Sequence, residues 1–256
     1  MIKHIDLNAD LGEGGSCDHN LLALVSSANI SCGAHAGNTH DIRAAIQRAL
    51  ELGVSIGAHP SYPDREHWGR RSMQLSAQDL RTTLTQQLER LASEVSAAGG
   101  RLQHVKPHGA LYNDAAKDPV LATLVAECVK TFDPALRLVG LAGSVSLSAA
   151  QQLGLNTIAE AFVDRRYQTD GTLVPRSDSR ALITDVQQAL RQSLAIIAGE
   201  PIEAVDGTAI VIKAQTLCVH GETEHALVFA RQLRQALDEA NILIRAPADG
   251  VKVSAC

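Results

Sequence analysis

Nitrogen-bearing side chains follow strand-like, apolar sequence at several points of the chain. The stretches "CGAHAG" and "GAHP" place His35 and His59 directly after β-prone runs. The stretch "HVKPHG" contributes Lys106 and His108, and "CVHG" contributes His220. Imidazole and ammonium groups transfer protons, stabilise developing negative charge or, for imidazole, bind metal ions. The repeated placement therefore predicts one polar site built from several strand ends.

Carboxylates occur in two further runs of the same kind. In "HIDLNAD", apolar and polar side chains alternate, and Asp10 lies on the polar face with Asp6. Glu160 lies within "NTIAEAF", and Asp164 and Arg165 follow shortly after it. An unpaired charge buried in a protein costs several kcal/mol. A fold that gathers these groups at one end is therefore expected to give them shared solvent, partners or a ligand.

Short apolar runs alternate with longer amphipathic stretches along the whole chain. The predicted strands are residues 4–10, 28–34, 54–60, 104–109, 137–143, 156–162 and 209–221. Helices are predicted to begin at Thr39, at Ser76 and at Ser177 or Asp178, and a last helix is predicted to carry Leu227 and end near Asn241. This alternation is typical of a mostly parallel sheet. We expect a distorted (β/α) barrel of about seven parallel strands forming a single domain over residues 1–256, with an open doubly wound sheet as the alternative.

The amino-acid composition limits the classes of molecule that this chain is expected to bind. The 256 residues include 23 Lys and Arg against 28 Asp and Glu, a net charge of −5 with no basic block, and only 3% aromatic residues. Nucleic acid and membrane are therefore poor partners. The five cysteines are widely spaced without a C-x-x-C motif, which is typical of reduced thiols and a cytoplasmic protein. No apolar run approaches the ~20 residues that span a bilayer, and the acidic start of the chain is unlike a signal peptide.

The residue types permit two kinds of hydrolytic chemistry. In the first, Asp10, His35 and His59, with His220 as a further candidate ligand, hold a divalent metal ion whose bound water is the nucleophile. In the second, which needs no metal, Asp10 or Glu160 activates water while Lys106 stabilises an oxyanion and a histidine transfers protons. The polar segments 61–73 and 164–176 are candidate covers for such a site. Neither a G-x-G-x-x-G motif nor a P-loop is present to bind a nucleotide.

Several stretches together resemble the LamB/YcsF family. They are "DLNADLGEG", "ANISCGAHAG", "GAHPSYPD", "VKPHGALYN", "EAFVDRRYQTDGTLVPR" and "CVHG", which run in order from Asp6 to about Gly221. The resemblance implies a seven-stranded barrel like those of glycoside hydrolases and deacetylases. It also implies a share in an ATP-dependent 5-oxoprolinase, which opens 5-oxo-L-proline to L-glutamate with partner subunits B and C. Because the chain lacks a nucleotide motif, ATP is expected to be bound by, or shared with, one of those partners.

The resemblance also suggests roles for individual residues. The expected catalytic residues are Asp10, Lys106, His108 and Glu160, and the expected substrate-binding residues are His35, His59, Asp164, Arg165 and His220. The chain departs from the family pattern where Glu222 replaces an expected aspartate after His220 and Gly221. A free-standing metal-dependent amidohydrolase or deacetylase, or a non-catalytic member of a complex, are the alternative functions at this point.

Overall fold

Seven parallel strands close into a barrel in the computed structural model, which describes residues 3–219 and 224–247. The strands of this described part are β1 (His4–Leu11), β2 (Ser27–Ser31), β3 (Ser55–His59), β4 (His104–Val105), β5 (Arg137–Leu141), β6 (Asn156–Phe162), β7 (Ile202–Glu203), β8 (Ala209–Ile210), β9 (Thr216–Cys218) and β10 (Leu243–Ile244). The barrel runs β1–β2–β3–β4–β5–β6–β9, and β9 pairs with β1 to close it. The short β10 pairs with the start of β1. The predicted barrel is confirmed, and the open doubly wound sheet is wrong.

Helices connect the strands. They are α1 (Asp18–Leu22), α2 (Thr39–Leu52), α3 (Ala77–Ala97), α4 (Gly109–Ala115), α5 (Pro119–Phe132), α6 (Val145–Gln152), α7 (Val186–Ala198) and α8 (Glu224–Glu239). As predicted, Ser76 caps α3, since its hydroxyl accepts a hydrogen bond from the backbone N–H of Asp79. In α2 the cap is Asn38 rather than Thr39, because the Asn38 side chain accepts from the N–H groups of His40 and Asp41.

Two predictions in the second half of the chain are wrong in detail. Residues 209–221 do not form one strand. Instead β8 pairs antiparallel with β7, and only β9 joins the barrel. The helix predicted from Ser177 or Asp178 begins at Val186 with Asp185 as its cap. Leu182, which fits the helical pattern, forms a β-bridge with Arg165 instead. Pairing with another segment overrides the local helical spacing here.

Two predicted strands end earlier than expected, and this determines where their histidines lie. Only His104–Val105 of the run 104–109 pairs as β4, because Pro107 lacks the N–H that a continuing strand needs. His108 lies just before α4, which begins at Gly109. His35 lies in the loop after β2, which ends at Ser31. Both histidines therefore lie beyond the strands, at the carboxyl end of the barrel.

Polar side chains cross the barrel interior. Asn8 on β1 donates through Nδ2 to Glu160 Oε1 on β6 at 2.9 Å and to Thr216 Oγ1 on β9 at 2.7 Å. His104 Nε2 on β4 lies 2.8 Å from Asn29 Oδ1 on β2. The pairs Asn8–Glu160 and His104–Asn29 join strands that are not neighbours in the sheet, so these bonds run through the inside of the barrel. They connect the strands at the level just below the carboxyl ends.

The rest of the described chain adds two general findings. Among residues 3–219 and 224–247, no helix combines the length and apolar character that crossing a membrane requires. Four cysteines, Cys17, Cys32, Cys128 and Cys218, are buried free thiols. This agrees with the reduced cysteines that the sequence predicts.

Candidate active site

A cavity of about 250 Å³ lies at the carboxyl ends of the barrel strands. Its polar lining residues are Asp10, Glu13, Asp18, His59, Arg70, Lys106, His108, Tyr112, Asn113, Arg165 and Arg176. Phe162 and Leu173 supply apolar wall. The volume is slightly below the roughly 300–1,000 Å³ of pockets that hold drug-sized ligands. The cavity therefore matches a small polar molecule.

Lys106 lies at the centre of the polar groups. Its Nζ is 2.9 Å from Asp10 Oδ1 and 2.9 Å from Glu160 Oε1. Longer contacts reach Asn8 Oδ1 at 3.3 Å and Cys218 Sγ at 3.2 Å. Burial alone would lower the pKa of Lys106, but the surrounding groups, with Asp10 first among them, raise that pKa well above its ordinary value. Lys106 is therefore a buried ammonium between two carboxylates, and we call Asp10, Lys106 and Glu160 the triad.

Two asparagines hold this triad in place. Asn29 donates through Nδ2 to Asn8 Oδ1 at 2.7 Å and to Asp10 Oδ1 at 2.9 Å. Asn8 in turn donates to Glu160, as described above. Both amides are buried, and each uses its oxygen and nitrogen toward different strands. The orientation of the Asp10 and Glu160 carboxylates is thereby set before any ligand arrives.

One carboxylate oxygen of the triad lacks a hydrogen-bond partner within the described part of the chain. Glu160 is 0% exposed, and its Oε2 has no hydrogen-bond partner among the described residues. The hydroxyl of Tyr112 is likewise buried and unpartnered within that part of the chain. Burial, and then the nearby Glu160 carboxylate, raise the pKa of Tyr112 well above its ordinary value. The Tyr112 hydroxyl and the Glu160 carboxylate lie close enough to interact with each other, and of the two Tyr112 lines the cavity, where a ligand can reach it.

Three histidines and one glutamate form a second cluster beside the triad. The side chains are those of Glu13, His35, His59 and His108, and one donor atom from each lies within 4.8 Å of all the others. His59 Nε2 is 2.9 Å from His108 Nδ1, and His35 Nε2 is 2.9 Å from Glu13 Oε1. We call these four residues the histidine cluster. Nitrogen and carboxylate donors at this spacing are the kind of set that binds a divalent metal ion.

Each ring of the histidine cluster is held by a bond on its far side. His59 Nδ1 donates to the Lys106 carbonyl at 2.7 Å, and His108 Nε2 donates to the Trp68 carbonyl at 2.9 Å. Trp68 makes that contact from a left-handed backbone conformation with φ +55°. Burial, followed by the neighbouring His59 and His35, lowers the pKa of His108 to about 2, and burial lowers the pKa of His35. The His35 and His108 rings are therefore neutral near pH 7.

Asp10 joins the triad to the histidine cluster. Its Oδ1 accepts from Lys106 and Asn29, while its Oδ2 lies 3.3 Å from His59 Nε2. Its side chain is 17% exposed, compared with 3% for Lys106. Asp10 is thus the carboxylate of the triad that a molecule in the cavity can reach. A carboxylate in this position can take a proton from bound water.

Arginines line another part of the cavity. Arg165 is buried, donates from Nη2 to the Val174 carbonyl at 2.6 Å, and has an unpartnered buried Nε within the described chain. Burial, and then the positive charge of Arg176, lower the pKa of Arg165. Two guanidinium groups that repel each other beside a cavity favour an anionic ligand between them. A carboxylate or a phosphate fits that description.

The sequence matches the LamB/YcsF family over residues 5–252. It is also 50% identical over 243 residues to the A subunit of 5-oxoprolinase from Histophilus somni (strain 129Pt), with 95% of this chain and 98% of that protein covered. The chain belongs to the LamB/YcsF family.

Solved structures place the LamB/YcsF barrel among known folds. The crystal structure of the lactam utilization protein from Thermus thermophilus is similar with a TM-score of 0.88 at 40% identity, covering 95% of this chain and 100% of that one. The catalytic domain of a peptidoglycan N-acetylglucosamine deacetylase from Eubacterium rectale ATCC 33656 has a TM-score of 0.53 at 12% identity, with 97% and 90% covered. The second likeness concerns the fold alone and agrees with the predicted deacetylase-like barrel.

Most of the site residues predicted for this LamB/YcsF chain lie together in the structure. The residues of the triad and of the histidine cluster that were predicted are Asp10, Lys106, Glu160, His35, His59 and His108. Arg165 lines the same cavity. Asp164 is partly buried but does not line the cavity. His220 and Glu222 lie outside the described residues. The catalytic and substrate-binding roles assigned to these residues remain predictions.

Glu13 is the main site residue that the sequence reasoning missed. The possible metal ligands were predicted to be Asp10, His35 and His59, whereas the group that converges is Glu13 with His35, His59 and His108. Glu13 lies in a glycine-rich turn, and its position three residues beyond Asp10 on a strand end is the signal that was available.

Proposed function

We propose that this chain is the A subunit of an ATP-dependent 5-oxoprolinase and opens the lactam ring of 5-oxo-L-proline to give L-glutamate, together with partner subunits B and C. The observation that supports this most is the 50% identity over 95% of the chain to the A subunit of the Histophilus 5-oxoprolinase. The name of the Thermus relative, a lactam utilization protein, points to the same ring chemistry. The site geometry supports the proposal in two further ways, and the chemistry of amides explains the use of ATP.

First, the cavity suits the size and charge of the substrate. Its volume of about 250 Å³ suits a five-membered lactam with one carboxylate. Arg165 and Arg176 are available to bind that carboxylate through charge-assisted hydrogen bonds. The same volume is small for a nucleoside triphosphate, which supports ATP binding by a partner or between subunits.

Second, the triad supplies the groups that ring opening needs. Lys106 offers a fixed positive charge for the oxygen of the lactam carbonyl as negative charge develops there. Asp10 accepts the proton of the attacking water, and Glu160 keeps Lys106 charged and in place. His108 is neutral and its pKa is lowered to about 2, so in this scheme it lines the site and takes no part in proton transfer.

ATP overcomes the poor reactivity of an amide. Transfer of the γ-phosphoryl group to the lactam oxygen forms an O–P bond and releases ADP. Water then adds to the activated carbon, the ring C–N bond breaks and its nitrogen takes up a proton, which leaves a glutamyl phosphate. A second water releases phosphate and L-glutamate, so one ATP and two waters are consumed for each ring opened.

The proposal is tested by measuring glutamate release from 5-oxo-L-proline. The purified chain alone is expected to give little product, and addition of ATP with subunits B and C is expected to give ATP-dependent turnover. Lys106→Ala and Asp10→Asn should abolish turnover in assembled complexes, while Lys117→Ala, at an exposed lysine, should not. Equal activity of the isolated chain without ATP would reject the multi-subunit reaction. Full activity of the Lys106 and Asp10 variants would reject the site assignment.

A second candidate function is a free-standing metal-dependent amidohydrolase or deacetylase, and the histidine cluster is the observation that favours it. This function requires ATP-independent hydrolysis that disappears after chelation and returns with added metal. The same glutamate assay, run with and without ATP and chelator, separates the two candidates.

A further inference from the structure

The hydrogen bonds around the histidine cluster determine which ring nitrogens carry hydrogen. Carbonyl oxygens only accept, so His59 Nδ1 and His108 Nε2 must be the protonated nitrogens of their rings. Ser61 donates its hydroxyl hydrogen to the Tyr62 carbonyl at 2.8 Å, so its oxygen accepts from His35 Nδ1 at 2.9 Å. With one hydrogen on each ring, at these positions, the remaining nitrogens are His59 Nε2, His108 Nδ1 and His35 Nε2, and each carries a lone pair.

These three lone pairs point toward one another and toward a carboxylate. His59 Nε2 and His108 Nδ1 are 2.9 Å apart, and His35 Nε2 is 2.9 Å from Glu13 Oε1. Glu13 Oε1 is also 3.5 Å from His108 Nδ1 and 3.9 Å from His59 Nε2. Four acceptor atoms at such distances repel one another unless something positive lies among them.

Additional protons on the rings would not relieve the repulsion among these four acceptor atoms well. The two short contacts would need one proton each, and the contact between His59 and His108 puts its proton on one of those rings. The His35 and His108 rings stack face to face with centroids 3.8 Å apart and planes 7° apart. Positive charge on both stacked rings would be strongly unfavourable in a buried site. A single cation among the four atoms satisfies all of them at once.

We propose that Glu13, His35, His59 and His108 bind one divalent metal ion of the zinc class. Three imidazole nitrogens and one carboxylate oxygen are a typical zinc donor set. A tetrahedral site with bonds of about 2.0–2.1 Å separates its ligand atoms by about 3.3 Å, and the measured separations fall on both sides of that value. The backbone and Ser61 contacts on the far sides of the rings are the outer bonds that typically orient metal-binding histidines.

The site lies beside the triad, and binding of an ion there requires no step of the proposed reaction. Asp10 Oδ2 is 3.3 Å from His59 Nε2, so an ion in the histidine cluster would be adjacent to the carboxylate that also contacts Lys106. Donor geometry and ring tautomers alone point to this ion, and neither depends on a substrate. Metal binding can therefore be established or rejected whatever the substrate proves to be.

The experiment uses the full chain, stripped with a chelator, dialysed and then titrated with Zn²⁺ and separately with Co²⁺. The expected results are one ion per chain by elemental analysis, the visible absorption of protein-bound Co²⁺, and a higher unfolding temperature in the presence of metal. Loss of a residue that only orients a metal ligand typically lowers metal affinity roughly 10–100-fold. His35→Ala and His108→Ala each remove a ligand, so each should lower the affinity for Zn²⁺ by more than that. The matched control is His40→Ala, at an exposed histidine on α2, and it should bind normally.

A variant that keeps the fold intact completes the test. Glu13→Gln preserves size at a side chain that is 18% exposed, and it should weaken Zn²⁺ binding while circular dichroism stays unchanged. A stripped, folded chain that takes up neither ion overturns the proposal, because protons must then occupy the cluster. Stoichiometric binding that is unaffected by Glu13→Gln, His35→Ala and His108→Ala overturns it as well. Both results are read from metal binding, so failure of this proposal can be distinguished from failure of the proposed function, which is read from glutamate release.

Discussion

The buried ammonium of Lys106 allows a quantitative test of the triad. Substitution Lys106→Met keeps the length of the side chain but removes two charge-assisted hydrogen bonds of 2.9 Å, to Asp10 and to Glu160. Asp10 is partly exposed and keeps its bond from Asn29, so water can compensate it. Glu160 is 0% exposed and, among the described residues, keeps the bond from Asn8 and the nearby hydroxyl of Tyr112, neither of which carries a positive charge. Most of the cost therefore comes from Glu160.

Removing one partner of a buried ion pair typically costs about 3–5 kcal/mol. We expect Lys106→Met to lower the free energy of unfolding by this amount at pH 7. In the variant, the buried Glu160 carboxylate has lost its countercharge, so the folded chain favours the protonated acid. The folded variant then binds a proton that the unfolded chain does not bind, and its relative stability falls as the pH rises. Between pH 5 and 7 the difference can reach about 2.7 kcal/mol, since one proton contributes about 1.36 kcal/mol per pH unit.

The assay is urea denaturation followed by circular dichroism at pH 5, 6 and 7, with Lys117→Met as the control at an exposed lysine. Other groups that titrate in this range affect parent and variant alike, so the comparison cancels them. The double variant Lys106→Met/Glu160→Gln should recover part of the loss at pH 7. A loss below about 1 kcal/mol, or one that is equal at pH 5 and 7, would refute the account of Lys106 as the essential countercharge of Glu160.

Three further predictions follow from single contacts. Gly57→Ala places a methyl group in steric overlap with the His104 ring, so we expect about 1–3 kcal/mol of destabilisation by urea denaturation, partly relieved by adding His104→Ser. Burial lowers the pKa of His104 in the folded chain to about 3. On acidification, His104 therefore takes up a proton in the unfolded chain at a higher pH than in the folded chain. Stability should fall as the pH drops from about 6.5 toward 3, by up to about 5 kcal/mol, and a His104→Gln variant should lose that part of the pH dependence. Arg176→Met should raise KM for 5-oxo-L-proline about 10–100-fold without changing stability, and an unchanged KM, or the same effect from Arg191→Met on the exposed face of α7, would contradict the anion role.

The polar centre of the site was predictable because parallel strands bring their carboxyl ends to one place. Alternation in "HIDLNAD" put Asp10 on the polar face of its strand, and Lys106 lies just beyond β4. Glu160 was a candidate because it is a charged residue within the apolar run that forms β6. The barrel closes these strands around a common axis, so Lys106 meets two carboxylates from distant parts of the chain at 2.9 Å each. The inference needed only strand direction, not the exact ends of the strands.

The structural features that could not be predicted from the sequence depend on contacts between distant segments of the chain. Leu182 has the spacing of a helix but pairs with Arg165, and that pairing is invisible locally. Asn8 and Asn29 are ordinary strand residues until the barrel closes and their amides bond across it. Glu13, in the turn after β1, converges with three histidines from other segments, and local sequence does not show that convergence.

Gly57 illustrates an intermediate case. A glycine two residues before His59, on the same face of the strand, leaves space where another residue would place a side chain, but the sequence alone does not identify the group that fills it. The structure identifies the group as the ring of His104, the neighbour of Gly57 across the sheet. The glycine indicates free space on the strand face, and the strand register identifies the His104 ring as the group that fills it.

Within the described part of the chain, the Asp10 side chain contacts Lys106 of the triad and His59 of the histidine cluster. The substitution Asp10→Asn removes the negative charge but keeps the shape of this side chain, so the two contributions can be measured separately. Asp10→Asn keeps an oxygen that accepts from Asn29 and presents an amide N–H to His59 Nε2, which accepts. Glu160 still neutralises Lys106, so we expect a loss of only about 1–2 kcal/mol in unfolding free energy. Glutamate formation by the assembled complex should nevertheless fall about 10²–10⁴-fold, because an amide cannot take the proton of water. A stable variant that retains activity would show that the base lies elsewhere, while an unstable one would show that the negative charge of Asp10 serves the fold rather than the reaction.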